Sequence, residues 1–101
     1  MQERINNIFA RHPMSVSFNQ QGFFIEVFWI FFINPKYQIP IEQISYIKLR
    51  QKYVFFGKQG FEINYRTHPK GALLDFFFVS KQPQAWIDAF TTAGIKLIPN
   101  N

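Results

Sequence analysis

The chain predicts a mainly β fold with one C-terminal α-helix, an α+β domain in which six or seven short antiparallel strands precede the helix. Three observations predict it. Apolar and polar residues alternate through much of the chain, as in MSVSFN (14–19) and FEINYR (61–66). The apolar content is rich in side chains that suit a pleated surface, with 14 Phe among 101 residues. After Ser80 the pattern changes from a period of two to the period of about 3.6 that marks a helix.

The elements follow in order. Residues 2–10 place Ile5, Ile8 and Phe9 at spacings of three and four, which predicts a short helix or arm within 1–12. MSVSFN is a strand with Val16 and Phe18 on one face, and Asn19 to Gly22 turns it into a hairpin with the next strand. That strand is the run from Phe23 to Ile33, apolar at every position except Glu26. A membrane-spanning helix needs about 20 apolar residues. This run is shorter and is bounded by turn-like NQQG and NPK, so it reads as a strand buried on both faces over part of its length. Glu26 then has to reach water or meet a cation. KYQIP (36–40) is a short strand whose closing Pro40 suits a sheet edge.

From Ile44 to about Lys52 a further strand turns Ile47 and Leu49 one way and Tyr46, Lys48, Arg50 and Lys52 the other. YVFFG (53–57) fits either a continuation of that strand or a packed loop. Phe61, Ile63 and Tyr65 face inward, with Glu62, Asn64 and Arg66 outward. THPKG (67–71) is a hairpin connection, and LLDFFFV (73–79) returns with Leu74, Phe76 and Phe78 inward and Asp75 outward. A helix over about 81–93 follows, with Ser80 as N-cap, Pro83 in its first turn and Gly94 as its stop. Trp86, Ala89, Phe90 and Ala93 share one face. A curled antiparallel sheet has open ends, and Trp86 with Phe90 is the natural plug for one. The tail, 95–101, adds Ile95, Leu97 and Ile98 to the packing.

At this length the chain is one domain, 1–101. It has no cysteine, hence no disulfide and no thiolate metal site. MQERINNIFARHP lacks the apolar centre of a signal peptide, so the cytoplasm is the expected location. The formal charge is +5, and it is concentrated between Lys48 and Lys70, where six cations face one acid, Glu62. Tyr46, Lys48, Arg50, Lys52, Lys58, Arg66 and Lys70 are therefore the candidate residues for an anionic partner. A merely solvated sheet face is the competing explanation.

The remaining motifs point away from catalysis. Each histidine, His12 and His68, precedes a proline and has no ligand at metal-binding spacing, so no metal or other cofactor is expected. Ser15, Ser17, Ser45 and Ser80 sit in no nucleophile motif, and GKQG (57–60) is too short to cradle a phosphate. No catalytic residue emerges, and an enzyme is not expected.

IPIEQISYIKL (39–49), GFEINY, LLDFFFV and QAWIDAFTTAGIKL together resemble the pleckstrin-homology-like (PH-like) superfold in its small bacterial form, over residues 14–98. The resemblance implies a partly open antiparallel β-barrel, 14–80, capped by the helix and serving as a binding module. Members that bind phosphoinositides carry basic residues between their first two strands. The corresponding NQQG here has none, so headgroup binding at that place is not expected. The first functional expectation is an interaction module for a protein partner or an anionic membrane surface, cytoplasmic and peripheral to the membrane. Its aromatic content favours a homo-oligomer. The alternative is a small nucleic-acid-binding β-barrel that uses the strand face 46–52, where cations in line with Tyr46 suit phosphates and a stacked base.

Overall fold

A computed structural model describes residues 1–5, 13–28, 35–50 and 59–100. Among the described residues the regular structure is eight strands, one α-helix and a 3-10 turn at Ile41–Gln43: β1 (Gln2–Ile5), β2 (Met14–Asn19), β3 (Gly22–Val27), β4 (Lys36–Pro40), β5 (Ile44–Arg50), β6 (Gln59–Tyr65), β7 (Leu74–Ser80), α1 (Pro83–Thr92) and β8 (Leu97–Asn100). They form two four-stranded sheets, ordered β1-β2-β3-β4 and β7-β6-β5-β8. All pairs are antiparallel except β5 with β8. Among the described residues the sheets are not closed into a barrel.

The expected helix at 2–10 is corrected for its first residues. Gln2–Ile5 is a strand registered on Met14–Ser17, with Glu3 opposite Val16 and Ile5 opposite Met14. Pairing with a neighbouring strand outweighs the local spacing of three and four, which alone rarely holds so short a helix. Residues 6–12 lie outside the described residues. The β2–β3 hairpin is as expected: Asn19 faces Gly22, and the Asn19 Oδ1 accepts the Gln21 N–H at 2.7 Å. Gly22 has φ of 125° and lies against the Ile39 carbonyl, where a Cβ would come within 2.1 Å of the oxygen.

The first part of the long apolar run, from Phe23, lies in the strand Gly22–Val27, while 29–34 lies outside the described residues. Glu26 is half-buried, opposite Ser15 on β2 and Lys36 on β4. KYQIP is the edge strand that Pro40 predicts. Two of the eight strands were not expected. One is β1; the other is β8, in which Leu97 to Asn100 runs parallel to Ile47 to Arg50.

The helix is shorter than expected and its start differs. Gln82 is the N-cap and Pro83 the first helical residue; Ser80 instead accepts the Gln82 N–H at 2.8 Å, one step before the helix. At the other end Gly94 adopts φ of 77°, and the Gly94 and Ile95 amides donate to the Thr91 and Phe90 carbonyls at 3.0 and 3.1 Å.

Trp86 and Phe90 fill the space between the sheets, both fully buried. Phe18 of β2 meets the Phe90 ring edge-on at 5.2 Å, and Phe23 of β3 stacks on Trp86 at 6.4 Å. From the other sheet Phe61 meets Phe90 edge-on at 5.6 Å and Phe78 meets Trp86 at 5.1 Å. Val16, Ile25, Ile39, Ile47 and Ile63 complete the core around these rings. Trp86 and Phe90 are thus buried against the sheets as expected, but they lie between two sheets, with both side chains touching both, rather than in the end of a closed barrel.

Candidate functional site

The candidate cations begin on β5. Antiparallel partners share a face, so the pairs Tyr46–Asn64, Lys48–Glu62 and Arg50–Gly60 lie on the sheet face opposite Ile47 and Leu49, continued by Asp75, Phe77 and Val79 on β7; Gly60, Asn64 and Val79 are buried there. Ile47 and Leu49 face the core, as the alternation predicts. Tyr46, Lys48 and Arg50 do form a row, and the Lys48 ammonium lies 5.8 Å from the centre of the Tyr46 ring.

Glu62 changes the chemistry of that row. Its carboxylate forms an ion pair with Arg50, whose Nε also donates to Oε1 at 3.1 Å. Asn64 Nδ2 donates to the other oxygen at 3.0 Å. The side chain keeps only 12% of its exposure. Burial pushes the Glu62 carboxyl upward, but the hydrogen bonds from Arg50 and Asn64 and the charges of Arg50 and Lys48 outweigh it. The group is held below the ordinary glutamate value. Charge counting along the sequence treats Glu62 as a lone exception among six cations; the register places it at the centre of the row.

The other candidates do not join this row. Arg66 follows the end of β6, and its amide donates to the Gln43 carbonyl at 2.9 Å, several rungs from Arg50 along the same pair of strands. Lys70 sits in the β6–β7 turn. Lys52 and Lys58 lie outside the described residues. The described candidates therefore form two groups: one around Lys48 and Arg50, where Glu62 offsets one of the two charges, and an exposed one around Arg66 and Lys70.

Sequence reasoning missed Glu3. This carboxylate is buried on the inner side of β1, where Oε1 accepts the Ser80 hydroxyl at 2.5 Å and the Trp86 indole N–H at 2.8 Å. Oε2 accepts the Lys81 amide at 2.9 Å. All three donors are uncharged, so the group ties β1 to the end of β7 and to α1 through hydrogen bonds alone. The only signal in the sequence is that Glu3 shares strand parity with Ile5.

A cleft of about 490 Å³ opens between the sheets beside β4, lined by Ile25, Val27, Tyr37, Ile39, Tyr65 and Phe76 among others. His68 is exposed in the β6–β7 turn, and among the described residues no three His, Asp or Glu side chains gather as a metal site. No helix among the described residues is long and apolar enough to cross a membrane. Comparison with protein-family models, with curated proteins and with solved structures finds no match to the chain.

Proposed function

We propose that the chain is a non-enzymatic interaction module with a PH-like arrangement, which engages an acidic surface presented by a membrane or by a protein partner. The observation that carries the reading is the plug. A four-stranded meander and a three-stranded meander enclose a C-terminal helix whose Trp86 and Phe90 contact rings of both sheets. That order of elements supports the PH-like likeness, and the rings fill the space around the helix, leaving the outer surfaces and the cleft beside β4 for binding. The net charge of +5 favours acidic surfaces among these.

Glu62 argues against the nucleic-acid alternative. A phosphate backbone following Tyr46, Lys48 and Arg50 would run beside a carboxylate and compete with it for Arg50. Binding to phosphatidylserine vesicles, to polyglutamate and to single-stranded DNA and RNA, each at low and high salt, tests the reading. Salt-sensitive binding to vesicles or polyglutamate is expected. Tighter binding to single-stranded nucleic acid, lost in a Lys48→Ala/Arg50→Ala variant, would overturn it in favour of the alternative.

A further inference from the structure

Leu73 and Leu74 are adjacent and remain 40% and 41% exposed; with Tyr37, at 56%, they are the exposed large apolar side chains among the described residues. Leu74 has the inward parity the alternation assigns it, opposite Tyr65, but lies beyond the part of β7 that the core covers. Residues 66–74 contain Arg66, His68 and Lys70 and no acid, and all of them except Gly71 are exposed. The connection is also braced. The Gly71 amide donates to the His68 carbonyl at 2.8 Å, and Arg66 Nη1 donates to the Gly71 carbonyl at 2.6 Å. Asp75, the next acid, is exposed; it turns to the opposite face of β7 from Leu74 and borders the cleft that Tyr37 and Tyr65 line.

A single exposed leucine needs no explanation. Two in succession, on a braced projection with two cations and no acid, suit a surface that is anionic outside and apolar a few ångströms below. We propose that the β6–β7 tip docks on an anionic lipid bilayer, with Leu73 and Leu74 entering the boundary between headgroups and acyl chains while Arg66 and Lys70 meet lipid phosphates. This rests on the acidic-surface reading and commits it to a bilayer. An acidic protein patch would satisfy the cations but leave the leucines against carboxylates. Tyr37 borders the same cleft as Tyr65 and Thr67, beside Lys36 and Asp75, and is an exposed amphipathic ring of the kind that settles at headgroup depth.

The cysteine-free chain allows a direct test. Leu73→Cys carrying an environment-sensitive fluorophore, and Thr91→Cys on the exposed side of α1 as control, are titrated with phosphatidylserine-containing vesicles and with phosphatidylcholine alone. A blue shift at position 73 with the anionic vesicles, and none at 91, is expected. In co-sedimentation, Leu73→Ser/Leu74→Ser weakens vesicle binding about tenfold or more. Lys70→Ala weakens it about fivefold. Melting curves establish that these variants stay folded.

Vesicle binding that the serine pair leaves intact would overturn the docking tip while leaving the acidic-surface reading in place. Absence of vesicle binding with retained polyglutamate binding would overturn the bilayer and keep that reading. Loss of both would remove both.

Discussion

Glu3 is the residue on which most depends for its size. Glu3→Ala leaves the buried Ser80 hydroxyl and Trp86 indole, and the part-buried Lys81 amide, without their acceptor. We expect a loss of about 2–4 kcal/mol in urea unfolding, since each orphaned donor carries its own desolvation penalty. Glu62 makes a different prediction. Because its folded carboxyl is held below its unfolded value, it contributes stability that is present above the unfolded value and is lost as pH falls through the folded one. The stability difference between the wild type and Glu62→Gln should therefore shrink as pH drops from about 6 to about 3. A difference that stays constant across that range would show that the Arg50 pair contributes nothing through ionisation. Neither carboxylate's role was legible beforehand, for a physical reason. Alternation tells which side of a strand a residue takes, but the donors that meet it come from strands and turns distant in sequence.

At the level of elements, the parts legible in advance are those built by local chemistry. The Asn19–Gly22 turn and the Gly94 stop each need a left-handed backbone that glycine adopts without strain, and each lies where the sequence places it. Their substitutions should nevertheless differ. Gly94→Ala has open space around the new methyl and should cost about 1–2 kcal/mol, the price of the left-handed conformation. Gly22→Ala drives a methyl into the Ile39 carbonyl and the Ile41 amide, so it should cost more than about 3 kcal/mol and separate β3 from β4. Equal melting temperatures for the two variants would contradict this. By contrast, β1 and β8 were not legible. Each has four residues, too few to show a period, and each exists only because a distant strand offers it a ladder. Pro99 further disguises β8, which a proline can join because β8 is an edge strand among the described residues.

For the molecule as a whole, the helix plug decides stability. Phe90→Ala empties a site lined by Phe18, Phe23 and Phe61 and should cost about 3–5 kcal/mol, read by the same urea titration. The plug was legible because its ingredients, a helical face bearing Trp86 and Phe90 and strands rich in Phe, are each local patterns. The distribution of the cations was not. A count along the chain merges Arg50 with Lys70, whereas the sheet register separates them and gives Arg50 a carboxylate. One consequence extends to the dynamics. Because the third residue clasps an indole more than eighty positions away, β1 and α1 cannot detach independently. The Trp86 indole proton should then exchange with deuterium only through global opening, as slowly as the amides of Ile47 and Ile63, and Glu3→Ala should speed it further than it speeds them.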